Sequence, residues 1–189
     1  MPRSGAEARA RLRQAALDLY LERGYDGTTT ADIAERACVN HRTYFRHFAD
    51  KREVLFDGQE ELCESLVRSV ADAPDGLPAL TVLERAFLES AHVLESNQAV
   101  AGCRLRLIAE TPALHERDLA KGAAMADALA AALERRGEPH DTARLVAAIG
   151  WTTFHEAATA WVAEPDRPLG PHLRATFETL RSAVVRAGG

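Results

Sequence analysis

The chain has 189 residues, of which 47% are hydrophobic and 27% charged, with a net charge of −5. These are the values of a soluble globular protein of one or two domains with a substantial core, and they exclude a diffusely basic polyanion binder. No apolar run approaches a membrane span and no charged start leads into a signal-type segment, so a cytoplasmic location is expected. Cys38, Cys63 and Cys103 are odd in number, far apart and without a CxxC pair. Neither a disulfide framework nor a zinc site is implied, and small buried or half-buried thiols are expected.

A first helix is expected over residues 6–23, with Leu12, Ala15, Ala16, Leu19 and Tyr20 as its buried stripe, Arg9, Arg11 and Arg13 outside it, and Gly24 ending it. The turn 25–28 leads into a short helix opened by Thr29 or Thr30, whose hydroxyl can accept from free N–H groups; Ile33, Ala34 and Ala37 form its apolar stripe. Cys38-Val39-Asn40 breaks that period, Asn40 is a second N-cap, and another short helix runs to Phe48. Two short capped helices joined by a tight turn are how a reading helix is held across its support. Tyr44 and Phe48, with Ile33 and Val39, can form a small core, leaving His41, Arg42, Phe45 and Arg46 on the opposite side. That side carries cations at the end that approaches base edges in a major groove, although on one helix alone an ordinary solvated basic face accounts for it as well.

Charge is distributed unevenly. Residues 1–52 hold ten Lys/Arg against seven Asp/Glu, and the remainder thirteen against twenty-one. A positive end on a negative chain is the footprint of one part meeting polyanions through placed contacts.

Asp50 is expected to cap a continuous helix over residues 51–72, with Val54, Leu55, Leu62, Leu66 and Val70 inward. After the Pro/Gly-rich loop 72–78 come segments over 79–96 and 98–110, then, past Thr111-Pro112, a long Ala-rich helix ending at Arg136-Gly137. Asp141 is expected to cap a helix reaching residue 163, residues 165–171 to form a loop, and a last helix to span 172–186. No useful β-type alternation or internal repeat occurs, so the fold class is all-α with about nine helices.

The ordered run Thr29-Thr30, Asp32-Ile33-Ala34, Ala37, Val39, Thr43-Tyr44-Phe45, His47-Phe48, Lys51 and Leu55 resembles the N-terminal signature of the TetR family of one-component transcriptional regulators. The resemblance implies a homodimer with a DNA-binding head over residues 1–52 and an effector-binding and dimerisation body over 53–189. It implies a bacterial regulator; the expected function is a repressor, activation being left open by the sequence, released from a palindromic operator by a small effector that the aromatic residues of the body suggest is mainly apolar. Three positions depart from the pattern: Cys38 where the turn usually has Gly, Arg42 where Gly is frequent, and Phe45 where Tyr is usual. If Cys38 takes φ > 0, it costs about 1 kcal/mol, and Phe45 can touch a thymine methyl without donating from a hydroxyl.

The DNA-contacting residues expected on this basis are Thr30, Asn40, His41, Arg42, Thr43, Phe45, Arg46, His47 and Lys51. Arg42 stands foremost for base edges beside His41 and Phe45, while Thr30, Thr43, His47 and Lys51 stand for phosphates. Phe87, Leu105, Ile108, Met125, Trp151, Phe154 and His155 are the candidate effector wall, with entry expected between the Phe87 and Trp151 helices. The stretch from Arg104 to Trp161 is similar to TetR-type bodies in which acyl-CoA-like effectors are known. Ala148, Thr152 and Thr159, with Leu173, Phe177, Leu180 and Val184, are the candidate dimer face, forming a four-helix bundle across a two-fold axis.

No P-loop, dinucleotide glycine motif or nucleophile elbow is present, and no cofactor or metal is expected. An enzyme would have to use the adjacent His155-Glu156 pair, but neighbours on a helix point about 100° apart, and neither Trp151 nor Thr159 adds a ligand at helical spacing. A purely protein-binding helical module has no need of Arg42, Arg46 and Lys51 around a capped reading helix.

Overall fold

The computed structural model describes residues 5–95, 98–164 and 166–187. Among them are nine α-helices and one 3-10 turn, with no strand. In chain order these are α1 (Gly5–Arg23), α2 (Thr30–Arg36), α3 (His41–His47), the 3-10 turn Glu53–Phe56, α4 (Gln59–Ala71), α5 (Ala79–Glu95), α6 (Gln98–Glu110), α7 (Pro112–Arg135), α8 (His140–Ala163) and α9 (Leu169–Ala187). Ser96, expected to end α5, and Pro165, expected in the following loop, lie outside the described residues.

Two compact units form: Met1–Gln59 with Cys103–Asp118, and Glu60–Gly102 with Leu119–Gly189. In the first, α1 packs on α2 and on the 3-10 turn, and α2 packs on α3. Its buried side chains include Leu12, Leu19, Tyr20, Ile33, Tyr44, Phe48 and Val54, so the apolar stripes read from the sequence converge. In the second, α5, α8 and α9 pack pairwise, and Leu83, Phe87, Met125, Leu129, Phe154, Leu173 and Phe177 belong to one core. At Gly150 an added Cβ would lie 2.6 Å from the Leu83 side chain, so that glycine lets α8 approach α5 closely.

Three helix boundaries differ from expectation. The continuous helix over 51–72 is broken: Asp50 Oδ1 accepts from the N–H groups of Arg52 and Glu53 ahead of the 3-10 turn, whose N-cap is Arg52 rather than Asp50, and Gly58 then adopts φ +88 before α4 begins. A residue in that left-handed conformation cannot continue a right-handed helix. Asp141 does not cap α8. The N-cap is Pro139, without a side-chain hydrogen bond, and Asp141 sits in the first turn, where its charge complements the helix dipole. Helix α9 starts at Leu169 rather than 172; Pro171 lies in its first turn, where no N–H is needed, and Glu95 Oε1 accepts from Leu169 N at 2.6 Å.

Candidate nucleic-acid interface

Helix α2 opens with a reciprocal cap: the Thr29 hydroxyl accepts from Asp32 N at 3.1 Å, while Asp32 Oδ2 accepts from Thr29 N at 2.8 Å. Thr29, not Thr30, is therefore the cap. Asn40 caps α3, its Oδ1 accepting from Thr43 N at 2.7 Å and from the Thr43 hydroxyl at 2.9 Å. Between the helices Cys38 has φ +53, the left-handed geometry that the glycine pattern anticipates. Its thiol is exposed, correcting the expectation of a buried or half-buried one; Cys63 and Cys103 are intermediate.

The angle between α3 and its support is fixed by buried anchors. Tyr20 Oη donates to the carbonyl of Lys51 at 2.5 Å, and Tyr44 Oη to that of Asp50 at 3.0 Å. Burial, helped by neighbouring tyrosines and carboxylates, raises both phenol pKa values, so both hydroxyls stay donors. Arg9 and Arg13 converge on Asp57, whose side chain is 5% exposed, and Arg117 Nε donates to Glu53 Oε1 at 2.6 Å. The Arg9, Arg13 and Arg117 ion pairs were not read from the sequence, because local spacing carries no signal for contacts 44 to 64 residues apart.

His41, Arg42, Phe45 and Arg46 are all exposed on one side of α3, with Phe45 at 50%. Arg42 and Arg46 make no ion pair among the described residues, whereas Arg36 is held by Glu22 and Arg52 by Asp50. His41 joins the two helices, its Nε2 lying 2.8 Å from the Thr30 hydroxyl, and its ring meets Phe45 edge-on at 4.8 Å.

Lys51 differs from its expected place. Its Nζ donates to the carbonyls of Tyr25 at 2.9 Å and Thr28 at 3.2 Å, 4.0 Å from the Tyr25 ring centroid. Two of the three ammonium hydrogens thus brace the loop ahead of α2 rather than facing outward. His47 is half-buried, and its Nε2 has no partner among the described residues. Burial first, then Arg46 and Arg9, lowers its pKa below the usual histidine value.

The candidate effector residues divide. Leu105 and Ile108 fall in the first unit, and Phe87, Met125, Trp151, Phe154 and His155 in the second. Phe87 stacks on Phe154 at 4.7 Å and Phe154 on Trp151 at 5.2 Å. The expected opening between α5 and α8 is filled by these rings. Trp151 and His155 are half-buried. A cavity of about 560 Å³ lies elsewhere, lined by Leu77, Pro78, Val82, Leu133 and Arg136 among others.

Of the candidate dimer residues, Leu173 and Phe177 are fully buried in the second unit's own core and are removed from any joint. Ala148, Thr152, Thr159 and Val184 are exposed and Leu180 is half-buried. Leu145 at 62%, Ile149 at 36% and Val185 at 75% add exposed apolar surface that the sequence reading had not chosen. Among the described residues, no helix is long and apolar enough to cross a membrane and no His/Cys/Asp/Glu group suits a metal ion.

A capped support helix, a tight turn and a second capped helix with exposed arginines on its outer side define a helix-turn-helix protein of the all-helical regulator class. Residues 12–57 match the model of the tetR family of bacterial regulatory proteins, and residues 77–185 match the MftR C-terminal domain. The chain is 31% identical over 134 residues to the HTH-type transcriptional regulator TcmR of Streptomyces glaucescens, covering 68% of this chain and 59% of that protein. With the HTH-type transcriptional repressor Rv3405c of Mycobacterium tuberculosis it shares 36% over 137 residues, 69% of this chain and 72% of the relative. Thermus thermophilus FadR, a repressor solved in complex with lauroyl-CoA, has a similar fold: TM-score 0.54, 24% identity, 91% of this chain and 92% of that one. The chain belongs to the tetR family of transcriptional regulators.

Proposed function

We propose that the protein is a cytoplasmic repressor that binds a near-palindromic operator as a homodimer and is released by a small, mainly apolar effector. The observation that carries this reading is the pair of exposed arginines, Arg42 and Arg46, that make no ion pair among the described residues, on a capped helix held by buried anchors. Arg42 reads base edges with His41 and Phe45 beside it. Arg46 and the α2 N-terminus at Thr30 approach phosphates, while Asn40 and Thr43 fix the entry of α3. Lys51 and His47 keep at most an accessory phosphate role, because their polar atoms face the interior.

Residues 1–52 act as the head and 53–189 as the body in this reading. One short reading helix buries too little surface for specific affinity, which favours two heads about 34–36 Å apart on successive major grooves. The exposed row Leu145, Ala148, Ile149 and Thr152 on α8, with Val184 and Val185 on α9, supplies the apolar face for a second copy. The effector lies against the half-buried edge of the aromatic stack at Trp151 and His155 and parts α5 from α8; its apolar character is supported by the lauroyl-CoA with which FadR, a regulator of similar fold, was solved. It releases DNA by favouring a dimer whose reading helices no longer match the grooves. Selection of bound fragments from random DNA tests the reading: a shared two-fold sequence is expected, and recovery of unrelated fragments would refute it.

A further inference from the structure

Thr30 and His41 stand 11 residues apart, yet they join the first positions of the two head helices. Thr30 opens α2 and His41 opens α3. The Thr30 hydroxyl lies 2.8 Å from His41 Nε2, and the imidazole meets the Phe45 ring edge-on at 4.8 Å. The ring is thus held from two sides, on a residue that stays exposed beside Arg42. Among the described residues neither the Thr30 hydroxyl nor His41 Nδ1 makes another hydrogen bond. Capping of α2 falls to Thr29, so the Thr30 hydroxyl is not needed there.

A threonine hydroxyl carries one proton and two lone pairs, and a neutral imidazole carries one N–H and one bare nitrogen. A single proton therefore lies between the two groups, and its owner decides what Nδ1 can do. In a helix-turn-helix the first helix crosses the DNA backbone, which in the reading above brings Thr30 to a phosphate. The hydroxyl proton then goes to the phosphate oxygen, because a hydrogen bond to an anion is about twice as strong as one to a neutral acceptor. With that proton spent, Thr30 can only accept, so His41 Nε2 carries the ring proton and Nδ1 is left bare.

We propose that Thr30 is a positioning residue that fixes His41 as an acceptor, so that His41 Nδ1 selects a base bearing an exocyclic amine, adenine or cytosine, beside the base read by Arg42. This rests on the operator-reading assignment of α3 above and adds a specificity-determining residue of opposite hydrogen-bonding sense. Adenine N6 and cytosine N4 are the amines of the major groove, whereas guanine O6 and thymine O4 would set an acceptor against the bare nitrogen. An arginine only donates, so Arg42 favours the bases that His41 rejects.

Selection from a random duplex pool by full-length wild type, His41→Ala, Thr30→Val and Thr30→Ser tests the assignment. Wild type is expected to require adenine or cytosine at one position of each half-site, and His41→Ala to lose the preference there alone. Thr30→Val should weaken that preference roughly two- to ten-fold, the size of one net hydrogen bond, by admitting guanine or thymine. Thr30→Ser keeps the hydroxyl and should retain the preference. A lower affinity of Thr30→Val with the same base preference would leave Thr30 a phosphate contact only and overturn the positioning role. Guanine or thymine at the His41-dependent position in wild type, or no such position, would overturn the acceptor assignment while sparing the reading by Arg42. Recovery of unrelated fragments by wild type would remove that reading and this inference with it. Circular dichroism checks each fold. If Thr30→Val does not fold, a selected operator with the amine deleted from that one base decides: wild type should weaken by the same factor and His41→Ala should not, and unchanged wild-type affinity would overturn the proposal.

Discussion

Replacing Lys51 by Met keeps the aliphatic stem and deletes the ammonium that braces the loop ahead of α2. Two hydrogen bonds from a cation to backbone carbonyls, at 2.9 and 3.2 Å, are lost together with the contact to the Tyr25 ring. Hydrogen bonds to charged groups contribute about 1.5–3 kcal/mol each and an exposed cation–π contact about 0.5–1. Because Lys51 is only half-buried, water compensates part of this, and a loss of about 2–3 kcal/mol is expected. In a chain of this size that lowers the melting temperature by roughly 4–12 °C, compared at equal protein concentration because association shifts apparent stability. Well below the transition, operator affinity should fall modestly. The slope of log affinity against log salt should change by much less than the 0.9 expected for one lost phosphate contact. An unchanged melting temperature with a slope reduced by about 0.9 would restore Lys51 as an outward phosphate contact and refute the bracing role.

Other expectations follow from single residues. Cys38→Gly relieves a left-handed conformation worth about 1–2 kcal/mol and adds unfolded-chain entropy worth about 0.5–1, a net gain of about 0–1.5 kcal/mol, so melting should rise by up to about 6 °C; a fall would mean the turn is not strained. The pKa of His47 is lower folded than unfolded, so near pH 6 the unfolded chain binds more protons and stability rises with pH. Acidification below the unfolded value of about 6.5 removes that contribution, and His47→Gln should flatten the melting curve against pH between 7 and 5; an unaltered slope would place the ring in solvent. Leu145→Glu puts a charge on the exposed α8 face and should yield helical monomers by light scattering with weakened operator binding, whereas an intact dimer would move the joint elsewhere.

Much of the head was legible because its signals are local. Thr29, Asp32 and Asn40 cap at fixed spacing, and Ile33, Tyr44 and Phe48 fall on one face, so the two helices and their outward side follow from the order of residues. The bracing of the loop by Lys51 was not legible because a sequence states a charge without its direction; the carbonyls that hold it lie 23 and 26 residues away. Gly58 interrupts an apolar period that continues on both sides through Val54, Leu55 and Leu62, and that period alone reads as one helix. On α9 periodicity identified Leu173 and Phe177 as part of an apolar stripe assigned to the dimer face, but a stripe does not name its partner, and the subunit's own core takes both. The start of α9 depends on Glu95, a cap 74 residues upstream that no local rule could find.

The central claim is that α3 reads sequence through Arg42. Affinities of wild type and Arg42→Ala for the selected operator and for a scrambled duplex, measured at one salt concentration, test it most directly. The account predicts a loss of about 1–3 kcal/mol on the operator, with relaxed preference at particular base pairs and little change on the scrambled duplex. An equal loss on both duplexes would contradict it.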